Sequence, residues 1–302
     1  LAGHRGLVGS AIARRLNQQG YSNLITRTHA ELDLTRQAEV EAFFEAEKPQ
    51  YVILSAAKVG GIGANSSYTA DFLYQNLAIA QNVIHSAWKS GVTKLLNLGS
   101  SCIYPKLAPQ PLAEASLLTG PLEVTNEAYA VAKIAAIRLC KHFNDQYGTN
   151  FISAMPTNMY GPGDNYDLNS SHVLPAMIRK FHEAKVAEGP VSLWGDGSAY
   201  REFLYSDDLA DAVVFLLENK DYSDIGEHIN IGSGRELTIR QLAEMVQKVV
   251  GHTGEIVWDT SKPNGTPRKL LDSSRMTAFG WRPKVDLETG LHRAYDDYLR
   301  VK

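Results

Sequence analysis

The chain has 302 residues, 44% of them hydrophobic, and a formal charge of −3 from 30 basic and 33 acidic residues. Such a chain can bury a sizeable core in one large domain or two unequal ones. Its scattered basic residues exclude an electrostatic platform for nucleic acid or an anionic membrane, which leaves small-molecule chemistry.

No apolar run reaches the roughly 18 residues of a membrane span, and the opening LAGHRG lacks the basic and apolar regions of a signal peptide, so a cytoplasmic location is expected. Short apolar runs alternate with longer amphipathic segments. NLI at 23–25, YVIL at 51–54, KLLNL at 94–98 and FISAM at 151–155 read as strands. Between them, Val8, Ile12 and Leu16 share one helical face, Val40, Phe43 and Phe44 another, and Leu73, Leu77, Val83 and Ile84 a third. This alternation predicts an α/β fold with a doubly wound parallel, Rossmann-type sheet. Only Leu1 and Ala2 precede Gly3, so the first strand is expected to be truncated.

After Tyr160 the composition changes. YGPGDNYDLNSS is dense in turn residues, and a helix of about four turns is predicted over 173–186. A second, smaller α/β region is expected to begin here. DLADAVVFLLEN and TIRQLAEMVQKVV read as further helices, capped by Ser206 and Thr238. The cysteines, Cys102 and Cys140, are too few for a disulfide framework and lack zinc-ligand spacing, so reduced thiols and no metal site are expected.

Chemistry concentrates in four places. GHRGLVGSAI spaces Gly3, Gly6 and Gly9 three apart and runs into an amphipathic helix, as a pyrophosphate site requires: glycine lets backbone approach closely, and a helix N-terminus supplies oriented N–H groups. At the end of the second strand, where an NAD site usually places a carboxylate, stand Arg27 and His29, with Arg5 in the glycine loop. Positive groups there favour the extra phosphate of NADP; the alternative is a solvated basic surface. YAVAK sets Tyr129 and Lys133 at i and i+4 on one helical face, where an ammonium is expected to lower the phenol's pKa for proton transfer at a carbonyl. In LGSSCIYP, Ser100 stands at a strand's C-terminal end, either facing the ligand crevice or serving as a turn or cap serine, and Cys102 is either a small core residue or a reagent.

With the glycine triplet, LGSS, YAVAK and PTNMYGPGDN in this order, the sequence resembles the extended short-chain dehydrogenase/reductase family over nearly its whole length. AAKVGGIGAN, GSSCIYPK, EAYAVAKIA, SSHVLPAMIRKFHEA and SKPNGTPRKLLD narrow the resemblance to its bifunctional epimerase/reductases acting on GDP-4-keto-6-deoxy-D-mannose. The resemblance implies that Ser100, Tyr129 and Lys133 form the reductive triad, and that Cys102 and His172 are the acid–base pair for epimerisation. It implies NADP contacts from Gly3, His4, Arg5, Gly6, Leu7, Val8, Gly9, His29, Ala30, Glu31, Leu32, Asp33, Leu34, Leu98, Gly99, Ser100, Ser101, Lys133, Pro156, Thr157, Asn158, Met159 and His172. The nucleotide-sugar substrate would be held by Lys180, Trp194, Arg201 and Asp272. At His29 and Lys180, related sequences often carry arginine. Residues 1–158 and 196–232 are expected to form the NADP-binding domain, and 159–195 with 233–302 the substrate-binding domain. A homodimer packed through helices near 70–90 and 129–147 is the family expectation.

The implied chemistry is consistent with the residue types. A ketone at carbon 4 acidifies carbons 3 and 5, and a thiol and an imidazole, with ordinary pKa values of about 8.5 and 6.5, straddle neutral pH. Cys102 is assigned as base and His172 as acid; the plainer alternative for His172 is a helix-start histidine. Cys140, beyond Lys133 on the same helix, is expected in the core. Trp194 and Arg201 flank the turn-rich GDGSAY, suited to a sugar or base face and a diphosphate, although Trp194 could equally be core. Two rival functions exist. A 4-epimerase or 4,6-dehydratase of the same fold would retain its cofactor, but a dehydratase normally carries Asp-Glu where this sequence has Ser101 and Cys102. A catalytically silent NADP sensor would tend to lose the tyrosine and lysine that are present.

Overall fold

The computed structural model describes residues 1–262 and 264–301. The strands are β1 (Tyr51–Leu54), β2 (Lys94–Leu98), β3 (Phe151–Pro156), β4 (Asn158–Tyr160), β5 (Val191–Trp194), β6 (Tyr200–Tyr205), β7 (Ile229–Ile231), β8 (Glu236–Thr238), β9 (Ile256–Asp259) and β10 (Arg268–Lys269). The helices are α1 (Leu7–Gln18), α2 (Gln37–Glu47), α3 (Ile62–Ser67), α4 (Thr69–Lys89), α5 (Glu127–Tyr147), α6 (Val173–Ala187), α7 (Ser206–Asn219), α8 (Tyr222–Ile225), α9 (Ile239–Val250), α10 (Ser274–Ala278) and α11 (Leu287–Val301).

β1, β2, β3 and β7 form a parallel sheet in that order, and Ala2 extends it by a parallel bridge to Leu54. β2 and β3 are buried throughout because helices cover both faces, the arrangement that parallel strands require. On one face α1 and α7 enclose Ile12, Ile152, Leu209 and Val213; on the other α2, α4 and α5 enclose Val40, Phe44, Val83, Ile84 and Cys140. Cys140 is therefore a core thiol, as expected. A second core gathers Tyr160, Leu174, Phe181, Leu242 and Leu291 beside β6 and the β5–β9 pair. There β4, β6 and β10 run parallel, with β8 antiparallel to β6.

Three local expectations require correction. Residues 23–25 form no strand: Leu1 N donates to Ile25 O at 2.9 Å, but the segment lacks the repeated paired bonds that define a ladder. Ser206 is not a cap but the first residue of α7; its hydroxyl is buried without a protein partner among the described residues. Thr238, by contrast, caps α9 through a reciprocal capping box with Gln241. On α4 the buried stripe is Phe72, Asn76, Ala80, Val83 and Ile84, while Leu73 and Leu77 lie half-buried beside it.

Candidate active site

A cleft of about 2750 Å3 opens at the carboxyl ends of the parallel strands and extends to β5 and β6. A drug-sized ligand needs roughly 300–1,000 Å3, so this cleft has room for two nucleotide-sized molecules. Ala2 lies at its base between Ile25 on one side and β1 on the other, so the chain's winding reverses there, where open α/β sheets bind ligands.

The glycine loop is built for close approach. Gly3 has φ +88°, and a Cβ on it would lie 2.7 Å from Ala56 N. A Cβ on Gly9 would lie 2.0 Å from Gly3 O, so only hydrogen lets α1 seat against the loop. Gly6 is the N-cap of α1 with no side-chain cap, and the first turn carries no acidic residue, which leaves oriented N–H groups for a pyrophosphate. These residues fit a dinucleotide. Where residues 27–33 border the cleft, Arg5 and His29 are exposed, but Arg27 is drawn to Glu47 (2.5 Å) and His29 Nδ1 stands 3.8 Å from Asp33. Arg27 therefore contributes less free charge to a phosphate than its position in the sequence suggests.

At the end of β2, Ser100 caps a tight turn over Ser101–Ile103, and its Oγ accepts from Cys102 N at 3.4 Å. The same hydroxyl faces the Tyr129 phenol. Lys133, one turn further along α5, donates to Leu98 O at 2.8 Å and stands 5.7 Å from the Tyr129 ring centre. Ser100, Cys102, Tyr129 and Lys133 thus share one wall of the cleft.

Burial overturns the expected phenol shift. Tyr129 is raised, by desolvation first and then by Cys102, with Ser100 as the opposing influence; Lys133, committed to Leu98 O, does not offset this. Tyr129 is accordingly a proton donor at neutral pH. Lys133 itself is lowered by burial to about 8, which leaves roughly nine-tenths of it protonated at pH 7. Desolvation also raises the Cys102 thiol against the pull of Lys269, Ser100 and Lys133, and lowers His172, with Lys269 adding to the effect. Both therefore rest uncharged, as thiol and imidazole, rather than straddling neutral pH as free side chains would. The pair still holds one transferable proton.

His172 is the N-cap residue of α6 and opens into the cleft from the opposite segment. That segment is clamped by Gly61, whose N–H donates to Ser170 O at 2.8 Å; a Cβ at Gly61 would meet Ser171 O at 2.4 Å. Lys180, Trp194 and Arg201 line the outer cleft. Lys180 donates to Ser192 O at 2.9 Å, and Trp194 is 52% exposed, which excludes the core alternative for it. Asn126 Oδ1 and Ser171 Oγ, also on the lining, are buried without a partner among the described residues, as polar groups reserved for a ligand would be.

Two expected contacts lie off the lining. Glu31 turns back to accept from Thr28 N at 2.7 Å. Asp272 accepts from Ser274 N at 2.9 Å at the approach to α10, outside the cleft. The chain crosses the cleft earlier, at Asn264 and Lys269, which sequence reading missed. Lys269 pairs in register with Arg201, and its strand neighbour Arg268 turns outward to Glu236, as alternation along a strand requires.

Comparison with known proteins agrees with this geometry. Residues 1–232 match the model of the NAD dependent epimerase/dehydratase family. The chain belongs to that family. Within and beyond the matched span, it is 62% identical over 301 residues to GDP-L-fucose synthase 1 of Arabidopsis thaliana, covering 99% of this chain and 92% of the relative. It is 52% identical over 306 residues to GDP-L-fucose synthase of Escherichia coli (strain K12), covering 99% and 95%. Among solved structures of the family's fold, a GDP-mannoheptose C4 reductase from Campylobacter jejuni with NADP bound superposes with a TM-score of 0.91 at 40% identity, covering 99% of this chain and 96% of that one.

Proposed function

We propose that this chain catalyses 3,5-epimerisation of GDP-4-keto-6-deoxy-D-mannose and then NADPH-dependent reduction at carbon 4, giving GDP-L-fucose. The observation that carries the reading is a single cleft lined by Ser100, Tyr129 and Lys133 together with Cys102 and His172. Identity of 52–62% to GDP-L-fucose synthases over 92–95% of their length supports the substrate.

NADPH supplies the hydride at carbon 4 and would be held by Gly3 to Gly9 at the α1 N-terminus, with Lys133 toward its ribose. Ser100 and Tyr129 bind the carbon-4 oxygen. Their hydroxyls stabilise the enolate formed when a proton leaves carbon 3 or 5, and Tyr129 donates its proton to the same oxygen during reduction. Cys102 acts as base and His172 as acid. The resting thiol and imidazole become the reactive thiolate and imidazolium by moving one proton between them, with no net protonation. Lys269 lies close enough to favour the thiolate once that proton has moved. Lys180 and Arg201 hold the diphosphate, and Trp194 offers an aromatic face to the base. With Asp272 outside the cleft, Asn264 takes its place at the substrate end.

A homodimer in the cytoplasm completes the reading. No helix among the described residues is long and apolar enough to cross a membrane. Tyr74 on α4 and Val131 on α5 are 68% and 41% exposed beside the half-buried Leu73 and Leu77, the side chains a four-helix interface would cover; sedimentation velocity tests it.

The decisive experiment incubates the protein with the keto-sugar and NADPH and identifies the product. One NADPH consumed per GDP-L-fucose formed is expected. Turnover without net NADPH consumption would establish a cofactor-retaining epimerase, and NADPH binding without turnover a sensor.

A further inference from the structure

Behind the Cys102 turn lies a buried polar network with no part in the chemistry described above. Tyr104 and His228 are each 3% exposed and Asn230 is 0% exposed. The Tyr104 hydroxyl lies 2.5 Å from Asn230 Oδ1 and 3.0 Å from His228 Nε2. Counting protons fixes the direction of each bond. Asn230 Nδ2 donates to Leu112 O at 2.9 Å and Asp272 O at 3.3 Å, so Oδ1 can only accept. The single phenolic proton therefore goes to Asn230, and His228 must donate from Nε2 to the Tyr104 oxygen. Burial, aided by Arg275 and Arg138, lowers His228 to about 4, so the ring is neutral and its one proton sits on Nε2.

The network ties together three pieces of chain. Tyr104 closes the Ser101–Ile103 turn that carries Cys102. Asn230 belongs to β7 of the central sheet. Through Asp272 O, and through Leu112 N to Leu270 O and Asp272 N to Leu112 O, it also holds the segment that presents Lys269 to the cleft. Arg275 braces the far side, donating to His228 O at 3.0 Å. Apolar side chains of similar volume are often at least as stable as a buried polar cluster, so stability alone gives little reason for this one; fixed geometry does.

We propose that Tyr104, His228 and Asn230 are positioning residues that set the Cys102 turn against Lys269 and so govern proton transfer at carbons 3 and 5 separately from reduction at carbon 4. The separation follows from the anchoring: Tyr129 and Lys133 are carried by α5 and by the Lys133–Leu98 bond, and α5 meets the network through apolar packing of Ile134 and Ile137 beside Tyr104 and through the charge of Arg138, rather than through a hydrogen bond to Tyr104, His228 or Asn230. The proposal rests on the epimerase/reductase reading.

The test compares wild type, Tyr104→Phe, His228→Leu and His228→Gln with keto-sugar and NADPH in D2O. It measures the ratio of epimerised, deuterium-labelled product to the reduced 6-deoxy sugar whose carbons 3 and 5 are unchanged. Tyr104→Phe and His228→Leu are expected to lower that ratio by about tenfold or more, a loss typical of a catalytic group slightly misplaced. His228→Gln keeps an N–H donor and should restore most of the ratio. A variant that merely folds poorly loses both products in proportion, so an unchanged ratio in Tyr104→Phe and His228→Leu overturns the proposal. Failure of wild type to form either product overturns the functional reading instead.

Discussion

The two walls that present Cys102 and His172 are built by opposite means. Residues 101–105 are buried throughout, close the end of a parallel strand and are anchored through Tyr104 to the central sheet. The His172 wall is a surface segment: Gly163, Asn165, Asp167, Leu168 and Asn169 are exposed, and local turns hold it, with Asn165 Oδ1 accepting from Asp167 N and Asp167 Oδ1 from Asn169 N. Beyond those turns it is tied to the facing loop by the Gly61–Ser170 backbone bond and to α11 by Gly163 N donating to Asp297 and the Tyr166 hydroxyl to Ala294 O. A substrate must enter and leave between these walls. Segments with few buried contacts open at low free-energy cost, so the His172 wall is the one suited to yield. The lesson is that the acid–base pair proposed for Cys102 and His172 would join a rigid partner to a pliable one.

Breaking the rigid wall should have the largest effect. Cys102→Ala is expected to abolish deuterium exchange from solvent into the keto-sugar, a loss of about 10²–10⁴-fold, with NADPH binding intact; unchanged exchange would sink the base assignment. Tyr129→Phe should cost net reduction a similar factor of roughly 10²–10⁴ while reducing exchange less, and equal losses would mean that the two half-reactions do not divide as described. Gly61→Val strikes the pliable wall, since the new Cβ would crowd Ser171 O. Exchange should fall by about tenfold with NADPH affinity unchanged, and a loss as large as that of Cys102→Ala would show that both walls are equally intolerant.

The smallest effect concerns pH. Asp164, in the loop leading to His172, is raised from 3.8 to about 7, mainly by desolvation and against the opposing bond from Asn165 N, with Asp297 adding to the rise. Because its folded pKa lies above the unfolded one, the folded state holds an extra proton between these values. That stabilisation is complete below about 3.8 and lost as pH rises through about 7. Asp164→Asn should therefore melt a few degrees above wild type beyond pH 7, with the gap shrinking as pH falls toward 4. A melting difference independent of pH would remove Asp164 as the source of this sensitivity.

Local patterns made much of the fold legible. The strands at 51–54, 94–98 and 151–155, the last extended by Pro156 in the structure, the α5 face carrying Tyr129 and Lys133, and the Thr238 cap all arise from spacing within a few residues. The failures at 23–25 and Ser206 occurred where the partner backbone or the packing above decides the outcome. Of the site, Ser100, Cys102, Tyr129, Lys133 and His172 were readable as motif residues. Lys269 and Asn264 were not, because only the path of the chain after β9 brings them over the cleft while carrying Asp272 past it.

Sequence alone therefore determined which groups were present and which shared a helical face, since a rise of about 1.5 Å per residue fixes such neighbours without reference to the rest of the chain. It could not determine their protonation. Whether the phenol, thiol and imidazole rest charged depends on desolvation and on charges such as Lys269 brought from distant segments, and these act only once the chain has closed around the cleft.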